Sequence, residues 1–600
     1  MGWIFGELTW TELIEASLFN KCIEPLRVRD ANSAERSFIS NGGRIRAAAS
    51  VESAASNLDI GADIVVMLDG HITNHADLAR ELGYTTTNPA SYATVIVEAY
   101  QKWGVDLFSR LHGEFAIALW DEAQATLLLG RDRIGVKPLY YHVAQDRVVF
   151  ASLPSALLRH PSCPRTVAIQ SLPLLFQPRL MISGEVPLDG VNEVPAAHVV
   201  RFSKAGIRLD RYWQLGGSLH TKDTGDAGTR VRELLEHSVR VRGRDCDAAM
   251  LSGGLDSTSV AALAQSDRLT RGKGPLQTFC IAFENDRTDF ASSELRPDLD
   301  APYALSAATE LGTRHRTLTL GIRDLTDVIQ ATRDARGLPG WGQFDASMYN
   351  LFKAMSSDAS QGLTGEAADE LFGGYPYFFD KQLLTRQTFP WIGDSEKLTD
   401  FLTPEIKKEA SPEEFERDRY QQLVHSTPHA DDESPYEARI REALFLGIAG
   451  PLSVVLERKE RMSTAAGIDI RMPFCDHLLM EYVWNVPWSI KSKGGTKGLL
   501  KSAMQDILPQ ATLNRRKSAY PHIQSSTHDK YLIENSQDLI SNPNSRLGGL
   551  FDKENFKDFL NRVSAGQIGS RIPGGASPAG ILIQLLETEQ WMNNYSIHIR

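Results

Sequence analysis

The chain has 600 residues, 42% of them hydrophobic and 23% charged. That is more than one hydrophobic core usually organises, so an ordinary globular protein of two or more domains is expected. Sixty-four basic against 75 acidic residues give a net charge of −11, which favours solubility and leaves no overall electrostatic footprint for nucleic acid, only room for a local basic patch. Five scattered cysteines (Cys22, Cys163, Cys246, Cys280, Cys475) form no CxxC or CxxH pair, so neither a disulfide framework nor a zinc site is indicated. Acidic residues interrupt the apolar opening "MGWIFGELTWTELIEASLF", and no later run approaches the ~18 apolar residues of a membrane span. A cytoplasmic protein, neither exported nor membrane-spanning, is expected.

The first two hundred or so residues read as short β runs separated by turn residues. They are "DIVVMLDGHI" (63–72), "GEFAIALWD" (113–121), "ATLLLGRD" (125–132), "KPLYYHV" (137–143) and "DRVVFAS" (146–152). A sandwich of β-sheets with a few helices fits them, one helix being "YATVIVEAYQKWG", ended by Gly104. The polar, Gly-rich stretch 215–229 reads as a linker between domains 1–214 and 230–600. Beyond it the period changes. Helix "RVRELLEHSVRVR", strand "CDAAML", helix "TSVAALAQS", strand "LQTFCIAF" (276–283), helix "YALSAATELG" and strand "RHRTLTL" (314–320) alternate as βαβ units of a parallel sheet do. From about residue 385 the pattern is mostly helical. "SPEE" at 411 and "SPYE" at 434 predict capping boxes closed by Glu414 and Glu437.

"AAMLSGGLDSTSVAALA" (248–264) breaks an apolar run with Ser252-Gly253-Gly254 and resumes it at helical spacing. Glycines between a strand and a helix let backbone N–H groups and the helix dipole converge on an anion, and Ser252 and Ser257 add hydroxyls. Phosphate or pyrophosphate suits such a cradle. Asp256 would repel phosphate unless a cation lay between them, and magnesium is the natural bridge. The loop lacks the lysine of GxxxxGK[ST] and the spacing of GxGxxG. By itself a three-residue match is equally a plain strand-to-helix turn. A second segment, "LTGEAADELFGGYPYF" (363–378), adds Glu366, Asp369 and Glu370 after a glycine. If it is helical from Gly365, Glu366 and Asp369 share a face, one able to hold a metal and the other to handle a proton; a solvated helix start is the plainer alternative.

Four motifs in order, "LSGGLDST", "TGEAADELFGGY", "RMSTAAGIDIRMPFCDH" (461–477) and "KGLLKSAMQDILPQATLNRRKSAYP" (497–521), resemble the glutamine-dependent asparagine synthetases and their relatives. "DGHITNHADLAREL", "LHGEFAIALWDEAQATLLLGRDRIGVKPLYY" and "FASLPSALL" resemble that family's amidotransferase domain, so the similarity spans nearly the whole chain. The resemblance implies an α/β protein of two domains. The first would be an N-terminal-nucleophile-hydrolase-like α+β sandwich of the class II glutamine amidotransferase kind. The second would be an ATP pyrophosphatase doubly wound parallel sheet with a helical C-terminal region. It also implies a reaction, in which a carboxylate attacks the α-phosphorus of ATP, pyrophosphate leaves, and an amine displaces AMP. Carried over, Ser252, Gly253, Gly254, Asp256 and Ser257 would hold pyrophosphate, Asp256 and Asp369 would take Mg2+, and Leu251, Ile281 and Gly365 would lie against the adenosine. Glu366 would assist the amine and Lys497 would stabilise charge around the acyl-adenylate, with Lys493 and Lys501 as alternatives. Arg471, Pro473, Phe474 and Asp476 match the family's R-x-P-F-x-D stretch and read as structural.

The departures concern the nitrogen. The family's glutaminase uses a cysteine after the initiator Met, and here Gly2 stands there with no side chain to be a nucleophile. Cys22, inside the chain, has no α-amine to serve as base. "NGE" is replaced by Asp69-Gly70-His71 and "SDTE" by Ser91-Tyr92-Ala93-Thr94, and "RGPD" has no counterpart near "NGGRIRAAAS". His71 and Tyr92 read as filler in an unused pocket more simply than as a new site. A retired glutaminase is expected, its strands kept because they pack on the second domain. Within the family an amine already on the substrate is the pattern of β-lactam synthetases and lasso-peptide cyclases; the former carry Tyr where this chain keeps Glu366. The expectation is therefore a lasso-peptide cyclase joining a peptide's N-terminal amine to an Asp or Glu side chain, where tethering raises the amine's effective concentration. A peptide-sized cavity is expected in 385–600. A precursor peptide and its leader peptidase would be the partners, with no nucleic acid or membrane involved. Ammonia-dependent asparagine synthesis is the alternative, and an inactive scaffold the third.

Overall fold

The computed structural model describes residues 2–29, 34–40, 42–51, 57–61, 63–85, 90–217, 227–293, 296–392, 396–565 and 577–600. Part of the expected linker, 218–226, lies outside the described residues, and a helix begins at Ala227.

Two antiparallel six-stranded sheets form the N-terminal sandwich. In one, Val191–Glu193, Tyr140–Val143, Arg147–Ala151, Ile4–Thr9, Ile45–Val51 and Ala34–Ile39 lie side by side. In the other the order is Gly206–Arg211, His198–Ser203, Thr126–Arg131, Gly113–Asp121, Ile64–Ile72 and Leu58–Ile60. The two-residue period of a strand decides what each side chain meets. Along Ile64–Ile72, Val65 and Met67 enter the core between the sheets, packing with Ala118, Leu129 and Phe150. Ile64, Val66 and Leu68 face outward under Val95, Ile96 and Ala99 of the helix Tyr92–Trp103. The other outer face, carrying Trp3, Phe5 and Val149, is covered by the helix Ala16–Arg29 and by Ile581, Leu582 and Leu585 of the helix Pro578–Tyr595. Layers of helix, sheet, sheet and helix result, and part of the last layer belongs to the second domain.

That domain is built on a parallel sheet ordered Arg314–Leu320, Gln277–Phe283, Ala248–Met250, Gln361–Leu363, Asp469–Arg471. Ala249 and Leu363 pack against the helices Ala227–Gly243 and Leu255–Thr270 on one face. Ala248, Phe279 and Ile470 pack against Gln343–Ser356 and Pro451–Ala465 on the other, so the sheet is doubly wound. Residues after 380 are mostly helical, and among the described residues no helix is long and apolar enough to cross a membrane.

Local expectations fail in two places. Ser434 caps its helix by accepting from Glu437 N at 3.2 Å, but the Glu437 carboxylate accepts from Trp488 N at 2.8 Å instead of closing a box. Ser411 ends the preceding helix at φ +44 and makes no side-chain cap, because a chain leaving Pro404–Ala410 in the left-handed region cannot offer its hydroxyl forward.

The domains are joined by buried charge as well as apolar surface. Lys137 Nζ lies 3.3 Å from both Glu460 and Asp469, and Arg242 bridges Glu114 at 3.2 Å and Asp476 at 2.7 Å. Asp476 also caps the helix His477–Asn485 and Arg471 donates to Arg242 O at 2.7 Å, as the structural reading of that stretch expected. His112 and His477 meet edge to face across this interface, ring centroids 4.4 Å apart. Burial, then the Arg133 guanidinium, lowers the His477 pKa from 6.5 to about 3, and burial lowers that of His112. Below about 6.5 the unfolded chain takes up protons that the native interface refuses, so this stability is complete above that pH and drains away as pH falls towards 3. The melting temperature should drop between about pH 7 and 5, and His477→Gln should flatten the dependence; scanning fluorimetry across that range checks both.

Candidate active site

The strand order reverses direction between Ala248–Met250 and Gln361–Leu363, so the loops leaving these two adjacent strands diverge and open a crevice. This is why the glycine loop at 252–254 and the acidic segment at 365–370, far apart in sequence, face one another. A cavity of about 640 Å3 lies there, lined by Leu251, Ser252, Gly254, Asp256, Ser257, Ile281, Gly365, Glu366, Asp369 and Lys497 among others. Lys501 also lines it and Lys493 does not.

The cradle is held by its own hydroxyls. Ser252 N donates to Ser257 Oγ at 3.1 Å, the two hydroxyls lie 3.0 Å apart, and Gly254 N donates to Ser252 Oγ at 3.3 Å. Leu255–Thr270 starts directly after, its N-terminal dipole turned to the cavity. Gly253 is not among the lining residues; it takes φ +75, where a Cβ would lie 2.4 Å from the Tyr303 carbonyl carbon. At Gly365 a Cβ would come within 2.8 Å of the Asp256 and Ser257 backbone, so the two loops touch only because no side chain separates them.

The acids do not share a helical face as expected. The helix is Ala368–Phe372, and Ala367 precedes it in the left-handed region at φ +74, which turns Glu366 away from Asp369. Each acid then meets a different cation. Lys497, 3% exposed, lies 2.6 and 2.5 Å from the two Asp256 oxygens and 2.6 Å from Asp369 Oδ1; Lys517 donates to Asp369 Oδ2. Glu366 Oε1 pairs with Lys459 Nζ at 2.7 Å. Burial pushes both aspartates up; for Asp369 the charges of Lys497 and Lys517 outweigh it and hold the carboxyl below its usual range, whereas Asp256 remains raised. Glu370, whose carboxylate accepts from Tyr375 OH at 2.5 Å, is raised to about 7 by burial and then by Asp369.

Among the described residues no three His, Cys, Asp or Glu side chains cluster as a closed metal cage. Asp256 and Asp369 nonetheless fit Mg2+. They are two hard carboxylates bridged by a lysine ammonium that stands where a cation would, and Mg2+ commonly takes one or two carboxylates and completes its shell with phosphates and water.

Lys459, Lys517 and Arg515 were not singled out from the sequence. Arg515 buttresses the cradle, donating to Ser252 O at 2.7 Å and pairing with Asp300 at 2.5 Å over the Tyr303 ring. The basic triplet of "NRRKSAYP" was the available signal for two of the three.

Residues 230–592 match the family described as asparagine synthase, and residues 56–213 match the glutamine amidotransferase domain. The chain is 31% identical to asparagine synthetase [glutamine-hydrolyzing] 3 of Bacillus subtilis, covering 90% of this chain and 88% of that one. It is 25% identical to asparagine synthetase [glutamine-hydrolyzing] 1 of the same organism, covering 76% and 75%. Amidase chry2 of Gibberella zeae is 23% identical, covering 81% and 80%.

Two outcomes are expected. Asp369→Asn, which leaves Lys497 and Lys517 facing one carboxylate fewer, should cut ATP–pyrophosphate exchange by about 100-fold or more with the fold intact by circular dichroism. Gly253→Ala should lower stability in urea unfolding by about 1–3 kcal/mol, since both its φ and the Tyr303 contact oppose a Cβ.

Proposed function

The chain belongs to the asparagine synthase family of ATP-dependent amide ligases, and we propose that this member takes its amine from the substrate itself and closes a lactam ring within a peptide. The observation that carries the nitrogen half is at Gly2. A Cβ there would lie 3.1 Å from Asp69 Oδ1 and 3.2 Å from Asp69 Cα, so the buried Asp69 crowds the position where a nucleophilic side chain would start. Cys22 offers no substitute, since burial pushes its thiol up to about 12. The peptide half rests on the cavity lining, where Tyr375, Pro376 and Phe379 form an apolar rim and Phe379 is 47% exposed. Such a rim suits apolar side chains and would stay uncovered over a small acid.

The peptide's Asp or Glu carboxylate oxygen attacks the α-phosphorus, the bond to the bridging oxygen breaks, and pyrophosphate leaves towards Ser252, Gly254, Ser257 and the helix N-terminus. Mg2+ held by Asp256 and Asp369 would neutralise phosphate charge during that departure. Lys497 remains beside the acyl-adenylate as the fixed cation. The peptide's N-terminal ammonium loses one proton towards Glu366. The nitrogen lone pair forms the C–N bond, the C–O bond to AMP breaks with AMP taking the electron pair, and the second proton passes from nitrogen to water. A precursor peptide, and a peptidase that exposes its amine, follow as partners.

Ammonia-dependent asparagine synthesis is the second reading, favoured by the likeness to asparagine synthetase 3 along most of both chains. Purified protein, ATP and a leaderless candidate peptide should drive pyrophosphate exchange and yield a product lighter by one water. Asparagine formed from aspartate and ammonium at a comparable rate would replace the cyclase reading with the second. Glutamate released from glutamine faster than in a boiled control would refute the substrate-borne amine.

A further inference from the structure

The helix Pro451–Ala465 carries "ERKER", five consecutive charged residues that helical reading would leave in solvent, and all five are buried. Four of them serve the frame. Glu457 pairs with Arg461 at 2.7 Å, Arg458 with Asp345 at 3.0 Å, Glu460 with Lys137 at 3.3 Å, and Arg461 donates to Tyr140 OH at 2.7 Å. Lys459 alone of the five lines the active-site cavity.

Its surroundings narrow its role. It is 2% exposed, its ammonium lies 2.7 Å from Glu366 Oε1, and around it are the Met250 sulfur at 3.4 Å, the rings of Phe352 and Tyr520 at 5.8 and 5.9 Å, and the like charge of Arg458. A lysine in such an apolar setting costs several kcal/mol of desolvation, and a methionine-like side chain would pack there at lower cost. Burial lowers its pKa, and the one carboxylate facing it, Glu366, opposes the shift. Glu366, for its part, stands clear of the phosphate lysines because Ala367 takes the left-handed conformation, which is unfavourable for a residue with a Cβ. Two separate ion pairs thus line two walls of one cavity: Lys497 with the aspartates, and Lys459 with Glu366.

We propose that Lys459 is a positioning residue for the second half-reaction, holding the Glu366 carboxylate aimed at the attacking amine. The inference rests on the ligase reading above. In the step concerned an N–H bond of the substrate ammonium breaks, an O–H bond forms on Glu366, and that proton passes to water at the open mouth before the C–N bond is complete. Adenylation uses neither residue. Because Glu460 and Arg461, next along the helix, are anchored on Lys137 and Tyr140, the N-terminal domain fixes the height of Lys459 in the cavity. That gives the domain a task in the ligase that needs no glutaminase.

The test separates the half-reactions, with a leaderless peptide or aspartate plus ammonium chloride as probes. Lys459→Met should keep ATP–pyrophosphate exchange within about threefold and lower amide formation about 100-fold, the usual worth of a positioned proton acceptor. Lys459→Arg should restore at least about a tenth of it, and adding Glu366→Gln to Lys459→Met should cost no more than Glu366→Gln alone. With hydroxylamine, neutral at neutral pH, hydroxamate formation should be nearly spared. Equal loss of both half-reactions, or full amide formation by Lys459→Met, overturns the proposal. If neither probe supports exchange in the unaltered protein, the ligase reading fails instead. A crystal structure of Lys459→Met then decides the positioning claim: Glu366 displaced supports it, Glu366 unmoved sinks it.

Discussion

The structure turns on one costly arrangement, a charged helix sealed inside the protein. The guanidinium, ammonium and carboxylate groups of residues 457–461 can leave water only because each finds a counter-charge or hydrogen-bond partner, Glu457 on Arg461 of the same helix and the other four on different elements. Tyr140 and Lys137 come from the first domain, Asp345 from a helix backing the parallel sheet, and Glu366 from the cavity wall. Losing Glu366 would leave the Lys459 ammonium without its counter-charge in a medium that solvates it poorly. The relative placement of sandwich, sheet and reaction site is thereby fixed by electrostatic demand as much as by apolar packing.

Around that frame the chemistry is placed by topology. Two neighbouring parallel strands whose connections run in opposite directions leave a crevice at their carboxyl ends, and the chain puts a glycine at each rim. Anion-binding backbone, aspartates and lysines converge there without any segment being strongly basic. The acidic total of the chain therefore says nothing about the phosphate site, which depends on local order and burial.

Much of this was legible in the residues. "LSGGLDST" and "TGEAADELFGGY" announce themselves because close backbone approach and a left-handed turn restrict what can stand at those positions. The strand "RHRTLTL" and the helix ended by Gly104 follow from period and turn chemistry. Other elements carry no such signature. Ile4–Thr9 is buried along its whole length and shows no alternation, Ala34–Ile39 is an exposed edge of mostly polar residues, and Gly206–Arg211 turns its alternating Ile207 and Leu209 to solvent. Lys459 was hidden for a different reason. A run of alternating charge has the same pattern whether water or partners surround it, and only the tertiary arrangement tells the two apart. The capping box expected at Ser411 failed similarly, because the residue belongs to the helix before it.

The short parallel pairing of Thr166–Val167 with His598–Ile599, beside the apolar contact of Trp3 and Phe5 with the helix Pro578–Tyr595, ties the first domain to segments far along the sequence. The first domain by itself would have one sheet face bare and an edge unpaired until those later segments close on it. Such a molecule would mature as one unit, and a protease cut between its halves would nick the backbone without setting either half free.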